Sequence, residues 1–271
     1  MLKAFFEREG IRFYRELPAS ALRIIDKEKY SRMAEKIGGV QSCAVFLIPY
    51  YTGQKTTNLS VYAQVRDYHR YITELSERFR AYQKEIGEDL PFMGYTDTSP
   101  VAERMAALTA GLGFLGENGL VLNRVYGSFF FIGEFFFARA VSPESPLTPQ
   151  RCPGCGKCLA ACPTGAIRDP ERKKCLSHLS QKKHLTPEEK ALVDKAACKW
   201  GCDLCQNVCP FNQNAEKTPI PYFRTDLVEK LDHDAIEAPK EEFQKRAYAW
   251  RGRNVLRLKL GEQPKTEDMK K

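Results

Sequence analysis

The hydrophobic and polar positions of this chain follow two different periods, which predict two kinds of element. Residues 41–51, QSCAVFLIPYY, are almost uniformly apolar and contain β-branched and aromatic side chains, as expected of a central β-strand. Residues 67–87 place Tyr68, Leu75 and Phe79 at helical spacing, which predicts a helix with one buried face. The first half of the chain therefore mixes strands and helices around one core.

Two further segments extend this pattern. Residues 99–113, SPVAERMAALTAGLG, offer Ser99 as an N-cap and Pro100 as the first helical residue, which predicts a second helix. Residues 119–141, GLVLNRVYGSFFFIGEFFFARAV, predict two strands with a turn near NRVYG. Glu134 interrupts this most apolar window, so it indicates a buried strand and not a membrane span. The charges in MLKAFFEREG do not suit a signal peptide, so we expect a cytoplasmic protein with no membrane partner.

Three prolines within residues 142–150, SPESPLTPQ, predict a domain boundary. We therefore expect an α/β domain over residues 1–147 and a cysteine-rich domain over residues 148–215. A basic tail over residues 216–271 follows, and its segment PKEEFQKRAYAWRGRNVLRLKL predicts helix. The fold class is thus mixed α/β (α+β), with a cysteine-rich second domain and a short helical tail.

The formal net charge of +8 is confined to two segments. Residues 168–199 and residues 241–271 each carry nine Lys and Arg against five Asp and Glu. One interpretation is that these are solvated helix faces, and the other is that they bind a polyanion such as nucleic acid.

The chain contains ten cysteines, and eight of them have the spacing of iron–sulfur ligands. The stretch RCPGCGKCLAACP gives C-x2-C-x2-C-x3-C-P, the run of bacterial ferredoxins, in which the fourth cysteine serves the other cluster. A second motif, GCDLCQNVCP, adds three thiols, and Cys175 supplies an eighth. We predict one [4Fe–4S] cluster on Cys152, Cys155, Cys158 and Cys209. We predict the other on Cys162, Cys175, Cys202 and Cys205.

Two alternatives concern the same thiols. Two structural zinc sites would also use eight cysteines, but they do not need the exchange of ligands between motifs or the proline after each. Cys198 competes with Cys175 as the eighth ligand, and we prefer Cys175. Cys43, in the apolar segment 41–51, is expected in the core.

Several motifs in their order resemble one enzyme family. They are YAQVRDYH, TDTSPVAERMAALTAGLGFLGENGLVLN, GSFFFIGE, CPGCGKCLAACPTGAI, KCLSHLS and GCDLCQNVCPFN, covering most of residues 40–260. Together they resemble the epoxyqueuosine reductases, cobalamin-dependent iron–sulfur enzymes of queuosine synthesis in tRNA. The cysteine pattern alone indicates only a protein with two clusters. The segments DTSPVAER and AGLGFLGENG are what make the resemblance specific to this family.

The resemblance implies a reaction and its parts. The first domain holds cobalamin in a base-off state, and the two clusters pass it electrons from an external donor such as a flavodoxin or ferredoxin. The reduced corrinoid removes the epoxide oxygen of epoxyqueuosine near the tRNA anticodon, leaving queuosine. Asp97 of the DT motif is the implied proton donor, whereas without the family we would favour an acid stabilised by a helix N-terminus. The implied cobalamin-binding residues are Tyr62, Asp97, Glu117, Val121 and Ser177.

The chain also departs from the family. Glu117 stands where the family has lysine, and the chain stops near where many relatives add a helical-repeat domain, so it resembles a short form. Binding of tRNA would then fall to the two basic segments. Arg246, Tyr248, Trp250, Arg251 and Arg253 would stack on bases or clamp phosphates, or the segment is a helix with Tyr248 and Trp250 inward.

Two other functions fit the same motifs. One is a corrinoid iron–sulfur reductase of a small molecule, similar to reductive dehalogenases. The other is a non-catalytic electron-transfer ferredoxin.

Overall fold

The computed structural model describes residues 1–142, 150–265 and 268. These residues form two compact units. The first contains Met1–Tyr50, Tyr68–Gly116 and Leu120–Pro153, and the second contains Tyr51–Asp67, Glu117–Gly119 and Gly154–Lys271. Residues 143–149, with the three prolines and the expected domain limit at residue 147, lie outside the described residues. The three-part division of the chain stays a prediction.

The first unit is organised by an antiparallel sheet of four strands, in the order β1–β2–β6–β3. A separate pair, β4 and β5, lies outside that sheet. In chain order the strands are β1 (Tyr14–Pro18), β2 (Ser42–Pro49), β3 (Phe92–Tyr95), β4 (Phe114–Leu115), β5 (Val121–Leu122) and β6 (Phe130–Phe137). The mixed fold class predicted from the sequence is confirmed.

Helices cover both faces of this sheet. The helices of the first unit are Leu2–Arg8, Lys27–Ile37, Tyr68–Glu85 and Glu103–Thr109, with a 3₁₀ turn at Ala19–Ala21. On one face, Phe135 packs with Phe6 and Phe79 of the first and third helices. On the other face, Phe136 belongs to a cluster with Met33 and Ala106 of the second and fourth helices. Because successive strand residues point to opposite faces, one phenylalanine-rich strand supplies both cores.

Gly133 on β6 makes room for this aromatic packing. A Cβ at this position would lie 2.3 Å from the Phe46 ring. Phe46 is the residue directly opposite on β2, so its ring lies over the glycine. The strand tolerates this glycine because close approach requires it.

The predicted helix over residues 99–113 is shorter than expected. It spans Glu103–Thr109, and its N-cap is Ala102 without a side-chain cap. Val101 instead forms an antiparallel bridge with Ile24, and the Pro100 carbonyl accepts hydrogen bonds from nearby backbone. Ser99 is therefore not the N-cap, because tertiary pairing holds this segment extended.

The second unit is built from short helices. Its α-helices are Val61–Gln64, Lys157–Ala161, Leu176–Gln181, Pro187–Lys195, Leu204–Asn207, His233–Glu237, Lys240–Gln244 and Arg253–Leu260. Its 3₁₀ turns are Ala166–Arg168, Pro210–Asn212, Pro221–Phe223 and Ala249–Arg251. The predicted helical tail is confirmed but interrupted at Gly252, whose φ is 82°. A core of Trp200, Tyr248, Leu256 and their neighbours holds these pieces together.

No helix among the described residues is long and apolar enough to cross a membrane.

Candidate functional site

Asp97 lies in the loop after β3, in the left-handed backbone region with φ of 59°. The Tyr68 hydroxyl donates a 3.0 Å hydrogen bond to Asp97 Oδ2, and His69 Nε2 lies 3.6 Å from the same oxygen. The hydrogen bond from His69 lowers the pKa of Asp97, partial burial opposes this, and the Tyr68 hydrogen bond lowers it further. The Asp97 side chain is 64% exposed and is ionised at neutral pH in this arrangement.

Two glutamates of the first unit continue from Asp97 into the core: Glu103 interacts with Asp97, and Glu134 interacts with Glu103. Glu134 on β6 is fully buried, and neither carboxylate oxygen has a hydrogen-bond partner within normal geometry. Burial raises the pKa of Glu134 to about 8, and the nearby Ser99 side chain lowers it in part. Glu103 has one buried oxygen without a partner. Burial, followed by the charges of Glu134 and Asp97, raises the pKa of Glu103 to about 9. Both carboxyls therefore hold a proton at neutral pH.

The sequence did not predict Glu103 and Glu134 as site residues. Glu134 was visible only as the one charge in FFIGEFFF, and Glu103 lies inside the DTSPVAER motif. A charge within an apolar strand was the available signal, because a glutamate there has to be paired or neutral.

The second unit gathers four of the predicted cluster ligands. Cys162, Cys175, Cys202 and Cys205 line one cavity of about 50 Å³, together with apolar residues such as Ile167. These are the four thiols that the spacing assigned to one cluster. Burial and then the nearby thiolates of Cys202 and Cys175 raise the pKa of Cys205 to about 12. The Cys205 thiol is therefore neutral in this arrangement, and a bound positive group would be needed to stabilise its thiolate form.

Cys162 shows how the backbone suits such a partner. Burial raises the pKa of this thiol, but the Thr164 hydroxyl and the backbone N–H groups of Ile167, Thr164 and Ala166 lower it more. Hydrogen bonds of this kind to sulfur tune iron–sulfur clusters.

The spacing of the thiols also bears on the zinc alternative. Among the described residues, no three His, Cys, Asp or Glu side chains converge as the ligands of one metal ion. Four thiols line one cavity, and in a [4Fe–4S] cube each of them would bind its own iron.

The other predicted ligand set is not gathered in one unit. Cys152 lies at the end of the first unit, whereas Cys155, Cys158 and Cys209 lie in the second. Cys158 and Cys209 are buried and Cys155 is exposed. The CPGCGKC loop turns through Gly154 and Gly156, with φ of 68° and 69°. This loop conformation lets closely spaced cysteines point to one side.

Two cysteines outside the spacings have other surroundings. The Cys198 Sγ donates to the Trp200 carbonyl at 3.1 Å and does not line the four-cysteine cavity. Cys43 is fully buried in β2, within the core of the first unit.

The residues implied as cobalamin contacts divide between the units, and each is described within its own. In the first unit, Val121 is buried in β5. In the second unit, Tyr62 packs against Gly201, Glu117 is exposed, and Ser177 lies in the helix Leu176–Gln181. Their role at a corrin stays a prediction.

The segment over residues 246–253, which is rich in arginine and aromatic residues, has buried and exposed parts. Tyr248 is fully buried, whereas Trp250 is 59% exposed. The Arg251 guanidinium lies 4.0 Å from the Trp250 ring centroid. Trp250 and Arg251 line a groove of about 760 Å³, which also contains Lys183, His184, Lys240 and Arg253. Tyr248 therefore packs inward, as one interpretation expected, and Trp250 faces outward, as the other did.

Comparison with known proteins shows which proteins this chain is similar to. Residues 151–212 match the family described as "4Fe-4S double cluster binding domain". The chain is 36% identical to an epoxyqueuosine reductase of Francisella cf. novicida, over 72% of this chain and 56% of that protein. It is 33% identical to the epoxyqueuosine reductase of Synechocystis sp., over 72% of this chain and 71% of that protein. The chain thus spans between about half and seven-tenths of the length of these relatives.

A solved structure shares the fold. It is an epoxyqueuosine reductase crystallised with an epoxyqueuosine-modified tRNA stem loop, with a TM-score of 0.73 and 23% identity. The match covers 95% of this chain and 78% of that one, which shows a common fold. Since the sequence identity extends over most of a curated relative as well, the chain belongs to the epoxyqueuosine reductase family.

Proposed function

We propose that this protein reduces the epoxide of epoxyqueuosine in tRNA to the alkene of queuosine. Both carbon–oxygen bonds of the epoxide break, two electrons and two protons are consumed, and the oxygen leaves as water. The electrons come from an external one-electron donor, such as a flavodoxin or ferredoxin, through two [4Fe–4S] clusters. The ten free cysteines suit a reducing compartment, and we place the reaction in the cytoplasm.

The four-cysteine cavity is the observation that carries this proposal. A double-cluster domain alone transports electrons, whereas this chain joins one to the first unit, with its four-stranded sheet, in a family named for the reduction. A non-catalytic ferredoxin does not need that unit.

The ligand sets that we propose follow the spacing of the thiols. Cys152, Cys155, Cys158 and Cys209 hold one cluster, and Cys162, Cys175, Cys202 and Cys205 hold the other. The Cys175→Ser variant is expected to lose iron from one cluster, whereas Cys198→Ser keeps the full content of about eight irons. Full iron in the Cys175 variant, measured after anaerobic reconstitution, would overturn this assignment.

Cobalamin is the cofactor that we propose between clusters and substrate, and when bound it supplies a strongly reducing cobalt centre. Tyr62, Asp97, Glu117, Val121 and Ser177 are the proposed contacts. His69 stacks on the Tyr68 ring and approaches Asp97, so it is already engaged. If cobalamin were bound, His69 would remain a partner of Asp97 and would not be among the residues that hold the cofactor.

Asp97 is the residue that we propose as the immediate proton donor to the departing oxygen. Its side chain reaches solvent, and Tyr68 and His69 hold its carboxylate in place. We expect Asp97→Asn to lower single-turnover reduction of epoxyqueuosine in tRNA by about 100-fold or more, since general acid catalysis contributes on that scale. The product is measured by nucleoside analysis after digestion. Undiminished turnover by this variant would exclude the role.

The groove around Trp250 is the surface that we propose for tRNA. An exposed indole beside Arg251, with Lys183 and Lys240 in the same groove, combines base stacking with phosphate binding. Trp250→Ala is expected to weaken tRNA binding about 10-fold without changing its salt dependence. Lys183→Gln is expected to reduce the slope of affinity against salt. Leu227, exposed elsewhere in this unit, gives the control variant Leu227→Ala. Equal affinity of all three variants at every salt concentration would place the tRNA elsewhere.

A further inference from the structure

The proposed reaction consumes two protons, but a single aspartate carries only one at a time. In this structure Asp97 is ionised, because Tyr68 and His69 hold its carboxylate. The protons therefore have to be held elsewhere and reach Asp97 during the reaction. This inference rests on the proposed function.

Two carboxyls with no other evident role lead from Asp97 into the core, Glu103 next to Asp97 and Glu134 next to Glu103. Glu134 is at the centre of the sheet, opposite Val45 on β2 and Tyr95 on β3. Its side chain points to the same face as Phe136, against which the helix Glu103–Thr109 packs. That helix begins with Glu103, whose carboxyl interacts with both Glu134 and Asp97. The three acids thus form a continuous series from the sheet to the exposed loop.

Burial decides where the protons reside in this series. Both Glu134 oxygens and one Glu103 oxygen lack hydrogen-bond partners and are shielded from water. An ionised carboxylate in such surroundings is costly, so both glutamates are neutral at pH 7. Three carboxyls then hold two protons between them, which equals the number that one turnover requires.

We propose that Glu103 and Glu134 store protons for the reduction and pass them to Asp97. The proton on Glu103 moves to the Asp97 carboxylate, and Asp97 gives it to the epoxide oxygen. Glu134 then reprotonates Glu103, and the second proton follows the same route to complete water. Protons from solvent return both glutamates to their neutral, protonated form after product release.

Exposure of Asp97 provides the trigger for the transfer. In the resting arrangement the low pKa of Asp97 opposes proton transfer from Glu103. Asp97 is 64% exposed, whereas Glu134 is fully buried. A bound substrate removes water from Asp97 much more than from the glutamates, which raises the proton affinity of Asp97 selectively.

Other titratable groups also face the pair. Cys43 on β2 interacts with both glutamates, and His69 at the start of the helix Tyr68–Glu85 interacts with Glu103. Glu16 on β1 acts on Cys43. Burial, with Glu134, Glu16 and Glu103 adding to it, raises the pKa of Cys43, so this thiol stays neutral. Two cationic groups lie close to this series. Lys29 donates from Nζ to the carbonyl of Thr98, next to Asp97, and His69 carries positive charge when protonated. Its interaction lowers the pKa of Glu103, so it works against storage of the proton.

The first test needs neither cofactor nor substrate. Infrared difference spectra of the purified protein between pH 7 and pH 10 report the C=O stretch of protonated carboxyls. The wild type is expected to show two carboxyls that lose protons in this interval, and Glu103→Gln and Glu134→Gln to lose one each. The exposed Glu77 gives the matched control Glu77→Gln, which is expected to keep both signals. An absence of protonated carboxyls at pH 7, or signals that survive in both variants, would overturn the proposal.

The second test follows the reaction. The pH above which single-turnover reduction declines is expected to fall by at least one pH unit in Glu103→Gln, with tRNA affinity unchanged. Glu103 is partly exposed, so this variant gives the result even if Glu134→Gln fails to fold. An unchanged pH profile would exclude proton storage by the glutamates and would leave the proposed function intact. A wild type that reduces no epoxide, with the infrared signals present, overturns the proposed function instead.

Discussion

The two units of this chain obtain their stability in different ways. The first unit has a four-stranded sheet with phenylalanine-rich cores on both faces. The described residues of the second unit contain no strand longer than a single bridge and rely on short helices joined by side-chain hydrogen bonds. The first depends on many interchangeable apolar contacts, whereas the second depends on particular polar groups and on its cysteines.

Asp203 illustrates the second kind of stability. Its side chain is 1% exposed and accepts hydrogen bonds from Ser60, Val61 and Thr56 at 2.5–2.8 Å. Gln206 donates a further bond at 2.9 Å. One carboxylate thus ties the segment before the helix Val61–Gln64 to the loop that carries Cys202 and Cys205.

The two tryptophans allow the units to be measured separately. Trp200 and Trp250 are the tryptophans of the sequence, and both belong to the second unit. Their fluorescence therefore reports unfolding of that unit. Hydrogen exchange of peptides from β2 and β6 reports the first unit.

The largest expected effect is loss of an aromatic side chain from the first unit. Phe135 contacts the rings of Phe46, Phe79 and Phe92 at centroid distances of 5.0–5.3 Å. Phe135→Ala is expected to lower the free energy of unfolding by about 4 kcal/mol, because a large cavity remains in a packed core. Faster exchange in β2 and β6, with the tryptophan transition unmoved, is the expected result. The control Ile86→Ala, at an exposed position, is expected to change neither.

Next in size is the removal of Asp203. Asp203→Ala is expected to destabilise the second unit by about 3 kcal/mol, since it leaves several buried donors unpaired. The midpoint of the tryptophan transition in urea measures this effect. The exposed pair of Asp194 with Lys190 offers a control, and Asp194→Ala is expected to cost about 0.5 kcal/mol or less. Equal shifts for both variants would mean that the buried network contributes little.

The last comparison is the pH dependence of the first unit, which is smallest when it is expressed for each single pH unit. The pKa of Glu134 is raised by burial from its ordinary value of 4.5 to about 8, so the folded state binds a proton that the unfolded state has lost between these values. The contribution of this proton to the free energy of unfolding is fully present below about pH 4.5. It declines as the pH rises towards 8, by at most about 1.4 kcal/mol per pH unit. Glu134→Gln is expected to flatten this slope. Stability curves measured by exchange at pH 5 and pH 8 test it, and parallel curves for both proteins would contradict the burial argument.

The sequence predicted the elements with strong hydrophobic periods. The strand expected within residues 41–51 is Ser42–Pro49, and the helix expected over residues 67–87 is Tyr68–Glu85. The turn expected near NRVYG is present, since Asn123 donates to the Gly127 carbonyl. The strands on either side of it do not pair with each other, because β5 pairs with β4 and β6 joins the main sheet. Local pattern predicts an element, whereas its partner depends on tertiary packing.

The part of the candidate site that depends on the spacing of cysteines could be predicted from the sequence. Cysteine spacing predicted the set that lines the cavity of the second unit. The contacts of Asp97 with Tyr68 and His69 join segments about thirty residues apart, and no sequence period indicates them. Glu134 is a similar case, because its importance comes from its burial at the centre of the sheet, which depends on how the strands pair.

The left-handed backbone at Asp97 restricts what evolution or an experimenter can place there. Besides glycine, asparagine and aspartate are the residues that adopt this conformation at little cost. An alanine at this position would add loop strain to the loss of the carboxyl, and a β-branched residue would add more. Asparagine keeps the loop shape and removes only the acid, so this one torsion angle separates a chemical defect from a conformational one.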